Sequence, residues 1–117
     1  MILIWYPKCS TCQKAKKWLD AHNVDYTTRH IVEENPTYEE LKKWYGNSEL
    51  PLKRFFNTSG LVYKDMKLKD KLPTMSEEEQ LQLLSTNGML VKRPLIIKED
   101  DTALTGFKEA EWTEKLL

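Results

Sequence analysis

The chain has 117 residues and equal numbers of basic and acidic side chains, so its formal net charge is zero. This length suits one domain with one hydrophobic core, and a neutral chain has no global field that would hold it on nucleic acid or an anionic membrane. No apolar run approaches the roughly 20 residues of a membrane span. The first apolar run, Met1 to Trp5, is too short for a signal peptide and lacks its basic flank. We therefore expect a cytoplasmic protein without direct contact to nucleic acid or membrane.

The first predicted elements form a βαβ unit. Residues 1–6 are predicted to form a buried strand. Residues 10–13 have the pattern of a capping box, with Ser10 as the cap of a helix that ends near His22. Residues 24–32 favour a second strand. Two strands joined by a helix are expected to pair in parallel, with a right-handed crossover.

The middle of the chain is predicted to be mainly helical. A capping box at Thr37 opens a helix that residues 46–48 close, and a capping box at Ser76 opens another that stops at Gly88. The pattern over residues 50–72 indicates shorter helical stretches.

The C-terminal part is predicted to be a β-hairpin followed by a helix. Residues 95–98 and 103–105 form the two strands, and residues 107–116 form the helix. The simplest assembly of βαβ, helices and ββα is an α/β fold with a mixed four-stranded, thioredoxin-like sheet. We predict a single domain over residues 1–117, with a helical insertion at about residues 36–87.

The two cysteines of the chain, Cys9 and Cys12, lie at the predicted junction of the first strand and helix. A Cys-x-x-Cys motif at such a junction is typical of a redox site. In the cytosol, where thiols stay reduced, such a pair is expected to be reactive and not a structural disulfide. Zinc needs about four ligands, and there is no second cysteine pair to complete the set. We therefore predict no metal.

The position of Cys9 predicts its role. It precedes the first helical turn, whose unpaired amides carry partial positive charge and lower the pKa of a thiol, and Lys8 would add to this effect. Cys9 is therefore the expected nucleophile, and Cys12, about one turn later, is placed to attack a mixed disulfide at Cys9. The alternative is that both are packed thiols without a redox role.

Arg93 and Pro94 stand directly before the predicted third strand. In thioredoxin-like folds a cis-proline at this place faces the dithiol, and an X–Pro bond tolerates the cis form. Arg93 would bring a fixed positive charge and a fork of donors that suits an oxyanion or a carboxylate. The alternative is a surface arginine at an ordinary strand start. Arg54 could also approach the thiol.

Three stretches of the sequence, residues 6–15, 90–97 and 104–109, resemble the ArsC/Spx family in their order and spacing. This family joins glutaredoxin-coupled arsenate reductases, Spx-type transcription regulators and small reductase-like proteins. The likeness runs from residue 1 to about residue 115. It implies a thioredoxin-like fold with a helical insertion in a bacterial cytoplasmic protein.

The likeness to arsenate reductases implies part of their site. Their motif resembles Cys-Gly-Thr-Ser, so Cys9 matches the nucleophile, while the second cysteine falls on a serine. Of three arginines around the oxyanion, Arg93 matches one, and another falls at or near Asn57, with Arg54 three residues earlier. The third would follow Leu104, where this chain has Thr-Gly-Phe. At most two positive groups are therefore expected, which argues against arsenate as the substrate.

The likeness to Spx-type regulators implies a different role for the same cysteines. Those regulators use Cys-x-x-Cys as a redox switch and bind the C-terminal domain of the RNA polymerase α-subunit. This chain shares the dithiol and Arg93-Pro94, but it ends at Leu117 without their longer tail. It also has Glu49-Leu-Pro51 where their polymerase-contacting loop has a glycine.

We therefore expect a thiol–disulfide oxidoreductase, resembling arsenate reductases, that acts on a small-molecule oxyanion or disulfide. It needs no bound cofactor, and glutathione or a thioredoxin- or glutaredoxin-type protein would restore its dithiol. The predicted catalytic residues are Cys9, Cys12 and Arg93. The predicted substrate-binding residues are Lys8, Ser10, Thr11, Arg54, Asn57 and Pro94. The alternative function is a redox-sensing regulator that binds the RNA polymerase α-subunit.

Overall fold

The computed structural model describes residues 1–117 and contains four strands and six α-helices. The strands are β1 (Ile2–Trp5), β2 (Thr27–His30), β3 (Leu95–Ile97) and β4 (Ala103–Thr105). The α-helices are α1 (Ser10–Ala21), α2 (Tyr38–Asn47), α3 (Leu61–Asp65), α4 (Leu68–Lys71), α5 (Glu77–Thr86) and α6 (Glu109–Leu116). Short 3₁₀ turns occupy Leu52–Phe55, Leu72–Thr74 and Gly88–Leu90. None of the helices combines the length and the apolar character needed to cross a lipid bilayer.

The four strands form one mixed sheet in the order β2-β1-β3-β4. β1 and β2 are parallel, whereas β3 is antiparallel to both β1 and β4. This confirms the predicted mixed, thioredoxin-like sheet. Because β1 is central, the loop between β1 and α1 leaves the middle of the sheet, and the motif Cys9 to Cys12 begins there.

Alternation along the strands divides the core between the two faces of the sheet. Leu3, Ile96 and Leu104 are paired across three strands and pack on one face with Trp18 of α1 and Trp112 of α6. Residues 37–90 are called here the helical segment. The other face of the sheet, which includes Ile4, packs against a larger hydrophobic cluster formed mainly by this segment. Since strand side chains alternate between faces, β1, β3 and β4 each contribute to both clusters, whereas no residue of β2 belongs to either.

The two predicted capping boxes in the helical segment are confirmed. The Thr37 hydroxyl accepts from the Glu40 amide at 3.1 Å, and Glu40 accepts from the Thr37 amide at 3.0 Å. Ser76 and Glu79 form the same reciprocal pair at the start of α5. Glu40 also pairs with Arg29 of β2 through two hydrogen bonds, of 2.6 and 2.8 Å. This ion pair ties α2 to the edge of the sheet.

The second strand and the last helix are shorter than predicted. Asn23 has a left-handed backbone, and hydrogen bonding to β1 begins only at Thr27, whose amide donates to Met1. The strand ends at His30, whose ring accepts from the amides of two following residues. Phe107, predicted as the first residue of the last helix, lies before α6.

Gly88 occupies a crowded position between the helical segment and the end of β2. The helix α5 ends at Thr86, two residues before the predicted stop at Gly88, and Gly88 begins a 3₁₀ turn. A Cβ atom at Gly88 would lie 2.1 Å from the backbone oxygen of Ile31. By contrast, a Cβ atom at Gly46 in α2 would meet nothing within 4 Å. Gly88 is therefore required by packing, whereas Gly46 is not.

We expect Gly88→Ala to lower the free energy of unfolding by about 1–3 kcal/mol, because the backbone must shift to admit the methyl group. Gly46→Ala is the matched control and should raise it by up to about 1 kcal/mol, because alanine loses less backbone freedom in a helix. Urea unfolding followed by circular dichroism measures both. Equal effects of the two substitutions would contradict the packing difference.

Candidate active site

A cleft of about 580 Å³ opens beside the N-terminus of α1. Five of the predicted site residues line it, namely Cys9, Thr11, Arg54, Asn57 and Arg93. The other lining residues are Ser59, Gly60, Lys92, Thr105, Gly106, Phe107 and Lys108. The fold therefore brings four separate parts of the chain together around the Cys9 sulfur.

Cys9 is the N-cap of α1. Its backbone is extended, and its sulfur accepts a hydrogen bond from the Cys12 amide at 3.4 Å. The prediction that Ser10 caps this helix is wrong, because Ser10 is already its first helical residue. The Gln13 side chain, predicted to complete the box, donates instead to the Pro7 carbonyl at 2.7 Å. The sulfur thus lies where an amide and the positive end of the helix favour a negative charge.

The two thiols have opposite environments. Cys9 is partly exposed and Cys12 is fully buried, and both are free. The pKa of Cys12 is raised to about 12, and burial is the largest cause. The neighbouring Cys9 adds to this rise, whereas a backbone hydrogen bond with Tyr6 opposes it. Burial also raises the pKa of Cys9, but hydrogen bonds from Cys12 and Arg93 and the charge of Arg93 outweigh it. The net result is a lowered pKa for Cys9, so the exposed sulfur ionises before the buried one.

Arg93 lies beside Cys9 without a carboxylate partner. Its guanidinium lies 5.1 Å from the centre of the Tyr6 ring, and one of its nitrogens donates to the Met89 sulfur at 3.7 Å. The peptide bond between Arg93 and Pro94 is cis, as predicted. Because its neighbours are an aromatic face and a thioether, the positive charge of Arg93 stays available to the cleft.

A short backbone pairing brings the helical segment to the cleft. Phe56 forms an isolated β-bridge with Val91, and the Asn57 amide donates to the Leu90 carbonyl at 2.7 Å. The Lys92 amide donates to Phe55 in the same way, at 2.8 Å. This pairing places Arg54 and Asn57 next to the segment that carries Lys92 and Arg93.

Three of the predicted substrate-binding residues do not line the cleft. Lys8 and Ser10 are exposed, and Lys8 is not among the groups that lower the pKa of Cys9. Pro94 is buried behind the cleft, where its carbonyl accepts from the Gly106 amide at 2.8 Å. Pro94 therefore holds the chain after β4 against the start of β3.

The cleft is more positive than the resemblance to arsenate reductases implied. It contains the cations Arg54, Lys92, Arg93 and Lys108, and no carboxylate lines it. The ion pairs of the molecule involve other residues, so these four charges are not neutralised within the chain. No group of three or more His, Cys, Asp or Glu side chains is suited to hold a metal ion. The cleft can therefore attract an anion.

Lys92, Thr105, Phe107 and Lys108 were not predicted from the sequence as site residues. Lys92 adjoins Arg93 in sequence, and the other three belong to the third stretch that carries the family resemblance, so a signal was present. Phe107 also packs edge-to-face on Trp18 and Trp112 of the core cluster that includes Leu3. It thus joins the wall of the cleft to the core.

Comparisons of the sequence and of the structure both find known proteins that are similar over nearly the whole chain. The sequence matches the ArsC family over residues 4–115. It is 53% identical to the uncharacterized protein YusI of Bacillus subtilis over 110 residues, or 94% of this chain and 92% of that protein. It is 30% identical to the global transcriptional regulator Spx of Staphylococcus epidermidis over 90% of this chain and 78% of the regulator. The crystal structure of a possible arsenate reductase from Streptococcus mutans matches with a TM-score of 0.90 and 40% identity, over 98% of this chain and 97% of that one.

We expect Arg93→Gln to raise the pKa of Cys9 and slow its alkylation at neutral pH, because a hydrogen bond and a positive charge to the thiolate are lost. Iodoacetamide alkylation as a function of pH, with the Cys9 peptide quantified by mass spectrometry, measures the midpoint. Arg54→Gln and Lys8→Gln remove the same charge from residues that do not lower this pKa, and they should leave the midpoint in place. A shift of the midpoint by Lys8→Gln as large as that by Arg93→Gln would contradict this assignment.

Proposed function

This chain belongs to the ArsC family, and we propose that it acts as a thiol–disulfide oxidoreductase with Cys9 and Cys12 as its redox pair. The observation that carries this proposal is the unequal environment of the two thiols. Cys9 is partly exposed with a lowered pKa, whereas Cys12 is buried and its pKa is raised to about 12. Two-step exchange needs this difference between the thiols. The ionised, accessible sulfur of Cys9 attacks the substrate first, and the protonated sulfur of Cys12 reacts only in the second step.

In the first step, the Cys9 thiolate attacks one sulfur of a disulfide substrate. A bond forms between Cys9 and that sulfur, the substrate S–S bond breaks, and one thiolate leaves. Arg93 lies beside Cys9, and its positive charge favours the negative charge that spreads over the three sulfurs. The same cation thus supports both the attacking and the leaving thiolate.

In the second step, Cys12 loses its proton and attacks the sulfur of Cys9. The new bond joins the two cysteines, and the second substrate thiolate leaves and takes up the proton. The negative charge on Cys9 is one of the causes that raise the pKa of Cys12, and the mixed disulfide removes that charge. The first step therefore activates the second.

Two electrons pass from the dithiol to the substrate, so the protein ends as a disulfide. No bound cofactor is needed, because sulfur carries the electrons. Glutathione or a thioredoxin- or glutaredoxin-type protein would restore the dithiol. An oxyanion is the other class of substrate that the positive cleft suits, and the Streptococcus mutans relative described as a possible arsenate reductase supports including arsenate in substrate tests.

We expect Cys12→Ser to accumulate a mixed disulfide at Cys9 when the protein is treated with oxidised glutathione, because the resolving sulfur is absent. Cys9→Ser should form no adduct and should lower disulfide reduction to the background rate. Intact-protein mass spectrometry and a coupled glutathione reductase assay measure the two outcomes. Equal residual activity in both variants would argue against these roles.

A redox-sensing regulator is the second candidate function. It is supported by the 30% identity to a global transcriptional regulator. The partner implied by the resemblance to Spx-type regulators is the C-terminal domain of the RNA polymerase α-subunit. In this case the dithiol would act as a switch, and its oxidation would change affinity for the polymerase without turnover.

If the chain is a regulator, the purified C-terminal domain of the polymerase α-subunit should bind the oxidised and the reduced protein with different affinity. Calorimetric titration of both forms measures the difference, and a variant with Cys9→Ser and Cys12→Ser is the control that cannot switch. For the oxidoreductase we expect no binding in either state. Redox-dependent binding without disulfide turnover would overturn the first proposal in favour of the second.

A further inference from the structure

We propose that the cleft contains an anion subsite, formed by Thr105, Lys92 and Lys108, that binds a carboxylate of a small disulfide substrate. The inference rests on the proposed function and narrows it, because it names the chemical class of substrate. The favoured substrate is a low-molecular-weight disulfide whose arms carry negative charge. The subsite makes no covalent bond and takes no electrons, and the exchange at the two cysteines proceeds as described above.

The first observation is a buried hydroxyl without a partner. Thr105 is only 4% exposed, and its Oγ1 atom makes no hydrogen bond within the protein. Buried polar atoms are almost always paired, so an unpaired one calls for an explanation. Thr105 is the last residue of β4 and lines the same cleft as Cys9. The Oγ1 atom has less than 1 Å² of exposed surface, so a turn of the Thr105 side chain toward the cleft brings the hydroxyl to a ligand oxygen, which provides the missing acceptor.

The second observation is that two lysines line the same cleft, one 13 residues before Thr105 in the chain and one three residues after it. The stem of Lys92 lies against Gly106, since a Cβ atom there would be 3.3 Å from the Lys92 Cε atom. Lys108 is the N-cap of α6 and is exposed. Neither lysine is held by an ion pair. Gly106 has a positive φ and no side chain, which leaves this wall of the cleft open.

The third observation is the division of charge within the cleft. Arg93 is the cation that lowers the pKa of Cys9, whereas Lys92 and Lys108 line the cleft without an ion-pair partner. Their charges therefore remain for a second negative group on the same molecule. A cavity of about 580 Å³ is within the usual range for small ligands. A small disulfide with carboxylate arms fits the cleft and provides the second negative group, whereas a disulfide with amine arms would be repelled.

The test compares three disulfides that differ in charge: 3,3′-dithiodipropionate, 2-hydroxyethyl disulfide and cystamine. The rate of adduct formation at Cys9 is measured in the Cys12→Ser protein by quenched-flow mass spectrometry. Each rate is divided by the rate of the same disulfide with a free small thiol, which removes differences in intrinsic reactivity. We expect the anionic disulfide to react fastest and cystamine slowest, with a preference that declines as salt is added.

Variants of the subsite should lower the preference for the anionic disulfide over the neutral one. Thr105→Val should lower the rate with dithiodipropionate about tenfold, as expected for a lost hydrogen bond to a charged group, and Thr105→Ser should retain it. Lys92→Gln and Lys108→Gln should each lower it about 1.5- to 5-fold, the range for exposed charge pairs. Lys17→Gln is the matched control, because Lys17 is exposed on α1 and does not line the cleft.

The outcomes separate this inference from the proposed function. If no disulfide forms an adduct at Cys9, the oxidoreductase proposal fails as well. If all three react at equal normalised rates, or if Lys17→Gln lowers the anionic rate as much as Lys92→Gln, only the anion subsite fails. Thr105→Val removes an unpaired hydroxyl, so we expect it to fold, and urea unfolding of each variant excludes a loss of structure as the cause.

Discussion

A hydrogen bond of 3.4 Å from the Cys12 amide to the Cys9 sulfur joins the start of α1 to the chemistry of the cleft. Helices usually begin at a side-chain oxygen, because an oxygen accepts from the unpaired amides of the first turn. Here a sulfur has that place, and it accepts best when it is ionised. The same contact therefore begins the helix, stabilises the thiolate and keeps the buried thiol within reach. Arg93 adds charge to an arrangement that the backbone has already set.

The cleft exists because distant parts of the chain are held together at one end of the strands β1, β3 and β4. The bridge between Phe56 and Val91 brings the helical segment to the start of β3, and the Gly106 amide fixes the chain after β4 to the Pro94 carbonyl. Neither contact involves a side chain, so the walls of the cleft depend on the backbone. This leaves the cations of the cleft free to change without loss of the fold.

Sequence patterns predicted the parts of this structure that depend on local rules. The strand-to-helix position of Cys9, the mixed sheet and the capping box at Thr37 follow from spacing and residue type. The sequence predicts Ser10 and not Cys9 as the cap of α1, because capping rules favour hydroxyl and carboxylate oxygens over sulfur. Lys92 and Thr105 were missed for a different reason. They are 13 residues apart in the sequence and line one cleft only when β3 and β4 pair, so the resemblance of their stretches to the family, and not a local pattern, was the signal for them.

The aromatic contacts of Phe107 couple the cleft to the intrinsic tryptophan fluorescence of the protein. This residue lines the cleft, and its ring packs 6.3 Å from Trp18 and 4.8 Å from Trp112, between centroids. The two indoles are themselves 5.7 Å apart in the core. Indole emission responds to the polarity and packing of its surroundings. A molecule that displaces Phe107 on entering the cleft therefore changes the fluorescence of the core, and occupancy can be followed in the unlabelled protein.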